Sequence, residues 1–361
     1  MLIGVPKETK TGEYRVSLTD NSVFKLVQLG NKVILESEAG LGVGISDDQY
    51  IAAGASVTKS SRDIFEQAEL IVKVKEPSLI ECSQLNRGQT IFCYLHLAAL
   101  PEQANLLCNS GATAIAFETV VGTDGQLPLL KPMSQIAGRL AVQSDAYYLQ
   151  RHLGGRGILL GGIEGEDSGK VVIFGGGSAG ESAAQIAIGM GAEVVIFDTS
   201  ATRIEQLLER YGGTAECLIP TKDNFNEHVF DAEIIVGSVL IPGASAPKLI
   251  TRKMIASMKE GVVLVDIAID QGGCFETSRP TSHDDPVYAV EDVLHYCVAN
   301  IPSAVPRTST SALNDAILPY IKLLVEDGTE SVVENRNHPL HSGINVHQGV
   351  ITYPAVAEAL A

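Results

Sequence analysis

With 361 residues, 45% of them hydrophobic, the chain is long enough for two cores and holds no polar or low-complexity tract of the disordered kind. A formal net charge of −17 repels phosphate backbones and anionic headgroups, and no apolar run reaches the ~20 residues of a bilayer span, so neither nucleic acid nor membrane is an expected partner. Six cysteines, at 82, 93, 108, 217, 274 and 297, make no C-x-x-C pair and no zinc spacing; no metal is expected, and free thiols with a charged N-terminus (MLIGVPKETK) suggest the cytoplasm.

In chain order, short β-rich runs alternate with segments of helical period: LIGV (2–5), TDNSVFKLVQLG, KVILE (32–36), LIVKVK (70–75), TIFCYLH (90–96) and TAIAFET (113–119). This rhythm reads as βαβ units around a parallel sheet. PEQANLLCNSG opens on Pro and closes on Gly111, as a helix does. A long connecting helix is expected over 134–153, with Ser134 as N-cap and Gly154 and Gly155 as the stop. A second block then repeats the pattern through KVVIF (170–174), a helix from about 178, EVVIFD (193–198), TRIEQLLERYG, EIIVGS (233–238) and VVLVDIA (262–268). Past Asn300 a further helical stretch should kink or break at Pro319, and PAVAEALA closes the chain. The expected architecture is α/β: two doubly wound parallel-sheet domains joined by the long helix, a substrate domain of 1–133 plus 301–361 and a Rossmann domain of 134–300.

Gly175, Gly177 and Gly180 form G-x-G-x-x-G directly behind a strand and at the opening of a helix. The first permits the tight turn, the second lets a pyrophosphate reach bare backbone, and the third lets helix and strand pack closely. Asp198 ends the next strand, where a carboxylate accepts from an adenine-ribose 2′-OH; its alternative is a cap for the helix that follows. That carboxylate favours NAD over NADP, whereas Arg203 nearby could pair with a 2′-phosphate. In the first block Arg15, Lys75 and His96 follow strands at their carboxyl ends, where open parallel sheets bind ligands. Each alone reads as a solvated charge or a satisfied core histidine; together they describe a carboxylate site with an acid/base beside it. Asp270 lies past VVLVDIA in a turn opened by Gly272 and Gly273, its alternative being a simple turn residue. Asp266, inside that strand, reads as structural.

The segments IGVPKETKTGEYRVSLT, IVKVKEP, YLHLA, LPLLKPMSQIAGRLAVQ, VVIFGGGSAG, VGSVLIPGASAPKLI, VDIAIDQGG and AVPRTST, spread over most of the chain, resemble the alanine dehydrogenase and pyridine nucleotide transhydrogenase family. The resemblance implies an NAD-dependent oxidation of L-alanine to pyruvate and ammonia by a homohexamer of two-domain subunits with NAD in the cleft. It implies that Arg15 and Lys75 hold the substrate and that His96 and Asp270 do the proton work. It also implies cofactor contacts from Met133, Ser134, Ser178, Ala179, Asp198, Arg203, Val239, Leu240, Ile267, Ala268, Ile269, Asp270 and Asn300, beside the three glycines. Pro220, Cys297, Ala299 and Ser303 are read as departures from the family pattern. A transhydrogenase-like nucleotide-binding subunit and a non-catalytic NAD-sensing module are the competing readings.

Overall fold

The computed structural model describes residues 1–239 and 246–361, which divide into two compact units. One comprises residues 1–133 and 303–361, the other 134–239 and 246–302. The first opens with β1 (Leu2–Val5), β2 (Lys32–Glu36), β3 (Ser56–Thr58), β4 (Leu70–Val72), β5 (Thr90–Cys93) and β6 (Thr113–Ala116). The second carries β7 (Lys170–Phe174), β8 (Glu193–Phe197), β9 (Glu216–Leu218), β10 (Ile234–Gly237), β11 (Val263–Asp266), β12 (Val287–Val290) and β13 (Val293–Tyr296). The chain then returns to the first unit for β14 (Ile344–His347) and β15 (Val350–Ile351).

The first sheet runs β15-β14-β6-β5-β4-β1-β2-β3 and the second β12-β13-β11-β10-β7-β8-β9. All pairings are parallel except those of β14 with β6 and β15, and of β12 with β13, so antiparallel strands appear only at one edge of each sheet. Within both sheets the parallel strands follow the doubly wound order in which strand order reverses once, at β1/β4 and at β7/β10. Apolar runs rather than alternating strands are what such sheets need, because both faces are covered. In β7, Val171 and Ile173 face one core with Ala183, Ala184 and Ala187 of the helix Ser178–Gly189. Val172 and Phe174 face the opposite core with Val229, Ile255 and Leu264. Each such side chain, fully buried, contributes about 1.5–3 kcal/mol.

Three local expectations are corrected. LIVKVK and TIFCYLH stop as strands at Val72 and Cys93: Lys73 and Tyr94 each make one more backbone bond, to the Phe92 and Val74 carbonyls, and beyond them carboxylates take the donors, Val74 N–H giving to Glu8 Oε1 at 2.7 Å and His96 N–H to Glu118 Oε1 at 2.6 Å. The connecting helix spans Lys131–Tyr148, so Ser134 lies inside its first turns and is not its cap; Pro132 suits the opening turn, where a missing N–H costs nothing. The helix stops early because the chain packs tightly at Gly155, where a Cβ would lie 2.1 Å from the Tyr148 carbonyl oxygen. Pro319 neither breaks nor bends the helix Pro306–Glu334 out of helical angles; the non-helical residue is Gly328, at φ 77°. Proline's own φ is helical, and burial of Leu313, Ile317, Leu318, Ile321 and Leu324 around it offsets the one hydrogen bond it forfeits.

Inside the connecting helix, Asp145 is wholly buried and neither carboxylate oxygen has a hydrogen-bond partner among the described residues. Burial raises its pKa well above the ordinary range. The folded chain therefore binds this proton more tightly than the unfolded chain does. The sign follows: the stability Asp145 allows is fully present below the unfolded-state pKa of about 3.9, and is lost as pH rises toward the folded-state value. Asp145→Asn should stabilise the protein by about 1–3 kcal/mol at pH 8 and by less at pH 5. Denaturant melts of both proteins across that range check it; parallel curves would contradict a buried titrating carboxyl.

Candidate active site

At the carboxyl rim of the first sheet, Arg15 is 2% exposed and is held by its neighbour in sequence. Its Nε donates to Glu13 Oε1 at 2.7 Å and its Nη2 to Glu13 Oε2 at 2.6 Å, a bidentate pair, while Nη1 meets the Met133 sulfur at 3.1 Å. Burial works against the charge, but the hydrogen bonds and charge of Glu13 outweigh it and raise the Arg15 pKa. Beyond β4, Lys73 is buried between Glu81, 2.7 Å away, and Glu8, 3.5 Å away. Burial opposes its charge too, and the two carboxylates outweigh it, so the ammonium holds its proton more firmly than usual. Burial pushes the Glu8 carboxyl up, Lys73 and the Val74 N–H notwithstanding.

Lys75 differs from both. It is 5% exposed, its Nζ stands 3.5 Å from Glu76 Oε2, and it makes no hydrogen bond among the described residues. A buried ammonium with unspent donors suits an incoming oxygen acceptor. Burial alone would raise Glu76; Lys75 and Lys10 beside it bring its pKa down to about 2.

His96 follows β5 in left-handed backbone, φ 49° and ψ 35°, a conformation that costs a non-glycine residue energy and clusters at functional sites. Glu118 fixes it there, accepting from the N–H groups of Leu95 and His96, with His96 Nδ1 3.9 Å away. The imidazole stacks on Tyr94, centroids 5.9 Å apart and planes 7° apart. Tyr94 is itself pinned by its hydroxyl, which donates to the Leu129 carbonyl at 2.7 Å, and the charge of Arg15 bears on it. Arg15, Tyr94 and His96 thus form one connected group. Glu13, Glu118 and Tyr94 escape a reading by strand ends; the acid two places before Arg15, in GEYR, is the only sequence signal for any of them.

In the second unit the turn after β7 divides its work among the glycines. Gly175 has φ 92°, which side chains rarely adopt. A Cβ on Gly180 would sit 1.8 Å from the Gly175 carbonyl oxygen, so close packing demands glycine there. A Cβ on Gly177 would meet nothing within 4 Å, and Gly177 is the N-cap of the helix that begins with Ser178 and Ala179. Open space before unpaired helix N–H groups is a cradle that fits a pyrophosphate. Asp198 Oδ2 accepts from Gly176 N–H and Oδ1 from Ser200 N–H, both at 2.8 Å, so the carboxylate braces the turn and leads into the next helix, whose N-cap is Ser200. Arg203 is committed within the protein: Nε donates to the Gly176 carbonyl at 2.8 Å, Nη1 to Gln206 Oε1 at 3.1 Å, and Nη2 to Glu181. Val239, half-buried, follows Ser238, whose hydroxyl donates to the Phe174 and Gly175 carbonyls; Leu240 lies outside the described residues.

Asp266 is wholly buried at the end of β11 and accepts from the N–H groups of Ala268 and Cys274 and from the Ser278 hydroxyl. It holds the following loop. Within that loop Ile267 is half-buried, Ala268 and Ile269 are buried, and Asp270 is exposed in a 3₁₀ turn closed by Gly272 at φ 87°. Asn300 also adopts left-handed backbone, φ 65°. Met133 belongs to the first unit and Ser134 to the second. Among the described residues no group of three His, Cys, Asp or Glu could hold a metal, and no helix is long and apolar enough to cross a membrane. All six cysteines are free, and burial pushes the Cys274 thiol up to about 12 and Cys297 to about 11.

Residues 4–137 match the family described as alanine dehydrogenase/PNT, N-terminal domain, and residues 141–354 match its C-terminal domain. An alanine dehydrogenase of Halomonas elongata is 50% identical over 99% of this chain and 96% of its own. Among solved structures, an L-alanine dehydrogenase superposes with a TM-score of 0.93 at 45% identity over the whole of both chains. The transhydrogenase of Sinorhizobium meliloti superposes with 0.82 at 28% identity, over 98% of this chain and 100% of its own. With both domain families matched in order and nearly end to end, the chain belongs to the alanine dehydrogenase/PNT family.

Proposed function

We propose that this chain is an L-alanine dehydrogenase that uses NAD to deaminate L-alanine reversibly to pyruvate and ammonia. The observation that carries the reading is near-full-length identity of 45–50% to alanine dehydrogenases, in a chain that keeps Arg15, Lys75 and His96 on one sheet rim and a glycine cradle on the other sheet. NAD rather than NADP is the assigned cofactor because Asp198 puts a carboxylate at the end of β8, suited to a ribose hydroxyl and repelling a phosphate. Gly175, Gly177, Ser178, Ala179 and Gly180 would hold its pyrophosphate. When bound, its nicotinamide takes the hydride that leaves the substrate α-carbon. A homohexamer in the cytoplasm belongs to the same reading and rests on the family resemblance.

The chain's own residues supply the rest. Arg15, kept charged and fixed by Glu13, pairs with the substrate carboxylate, and Lys75 offers its unspent donors to the carboxylate or carbonyl oxygen. Loss of hydride leaves an imine, which water attacks at carbon. His96 serves as acid and base for the resulting carbinolamine, taking a proton from the hydroxyl and giving one to the departing amine. Asp270 positions or deprotonates the water. Balanced, alanine, NAD⁺ and water yield pyruvate, ammonium, NADH and one proton.

Initial rates of NAD reduction with L-alanine and a panel of small amino acids, repeated with NADP, test the reading; absence of turnover with every amino acid would overturn it. His96→Ala should lower kcat by about 10²- to 10⁴-fold with the NADH dissociation constant unchanged. Equal loss of both would make His96 structural. At the cradle, Gly177→Ala should fold as stably as the parent yet bind NADH at least about tenfold more weakly. Gly180→Ala should instead cost about 1–3 kcal/mol of stability, read by denaturant melts, because its methyl meets backbone.

A further inference from the structure

The helix after the glycine turn places one residue that the proposed chemistry does not use. Glu181, in its first turn and with a largely buried side chain, accepts from Arg203 Nη2 through one oxygen and from Arg210 Nη1 and the Tyr211 hydroxyl through the other. Arg203 is thereby drawn onto the turn itself, its Nε bonded to the Gly176 carbonyl, while Asp198 takes the Gly176 N–H. Gly176 is thus gripped on both sides, by a carboxylate at its N–H and by a guanidinium at its C=O.

We propose that Glu181 determines dinucleotide preference by sequestering Arg203. Arg203 is a cation joined to Asp198 through Gly176, and its Nε, Nη1 and Nη2 each donate to a protein acceptor. With three of its five N–H groups committed to fixed acceptors, the guanidinium is held on the turn and its fork is not turned to a 2′-phosphate. The arrangement rejects NADP twice: Asp198 faces it with a like charge, and the arginine that could answer a phosphate is held by Glu181. Neutralising Glu181 removes the anion that holds Nη2, and leaves Arg203 able to turn toward a phosphate on the ribose. The inference rests on the reading of this unit as the NAD(H) site and names the residue behind its selectivity.

The test is the ratio of dissociation constants for NADPH and NADH, measured by nucleotide fluorescence on purified protein without amino-acid substrate. Glu181→Gln should lower that ratio by about tenfold through tighter NADPH binding. Arg203→Ala alone should leave the ratio within about twofold of the parent, because the native arginine gives NADPH nothing, and the double variant should lose the whole gain. An unchanged ratio in Glu181→Gln, or a gain that persists in the double variant, would overturn the proposal. So would a selective loss of NADPH in Arg203→Ala alone, a measurement that stands even where Glu181→Gln does not fold. A parent protein that binds neither nucleotide would instead sink the functional reading, a distinct and separately visible result.

Discussion

Strand direction is the constraint on which everything else depends. Because β1 to β6 run parallel, and β7 to β11 with β13 likewise, all their carboxyl ends lie along one rim of each sheet, and the crossovers part to opposite sides where the order reverses. At that rim the backbone leaves its ladder, and N–H groups there need new acceptors. The chain answers with carboxylates: Glu8 for Val74, Glu118 for Leu95 and His96, Asp198 for Gly176, Asp266 for Ala268 and Cys274. Each of these bonds fixes the segment that carries a candidate site residue.

Charge on the first rim follows from the same geometry. Arg15, Lys73 and Lys75 are all buried, and isolated buried cations are strongly disfavoured, so each has an acid: Glu13, then Glu81 with Glu8, then Glu76. The three pairings are unequal. Lys73 is enclosed by two carboxylates and anchors the segment after β4, a structural use of charge. Arg15 is oriented by a bidentate grip that leaves its charge in place. At Lys75 the acid stands too far for a hydrogen bond, so the charge is balanced while the donors are not consumed. That gradation, from fully satisfied to charge-balanced only, separates the lysine that holds the fold from the one suited to an acceptor arriving from outside.

Sequence reasoning reached the parallel sheets, the glycine turn and the strand-end residues because each follows from local rules: apolar runs bounded by turn residues, and glycine where a Cβ cannot fit. It places the strand ends three residues too late at Lys75 and at His96, since nothing local shows that Glu8 and Glu118, 66 and 22 positions away in the chain, claim the backbone. It misjudges Pro319 because a buried helix tolerates what a propensity forbids, and the residue that does leave helical angles is Gly328. Tyr94, Glu118 and Glu181 leave no signal in the sequence, and Glu13 only its place two residues before Arg15. Their roles lie in orienting another side chain or turn: Glu118 and Glu181 meet partners 22 positions away, while Glu13 and Tyr94 act on residues two places on through side-chain geometry that spacing alone does not show.

Asp266, Asp198 and Asp270 of the second unit show how position along a strand decides what a carboxylate can do. Asp266 is still within β11, and burial raises its pKa while backbone and serine donors offset part of that cost, so it is spent on the loop. Asp198, one residue past β8, stands at the rim: its oxygens hold Gly176 and Ser200, yet each carboxylate oxygen has further lone pairs, so a ribose hydroxyl can be received without releasing the turn. Asp270, four residues past β11, is exposed on a 3₁₀ turn. Distance from the strand end thus grades the same functional group from a buried brace, through a brace at the rim, to an exposed carboxylate on a turn. For Asp266, the one still inside its strand, a shift of one residue would turn the carboxylate to the other face of the sheet, away from the Ala268 and Cys274 N–H groups it now holds.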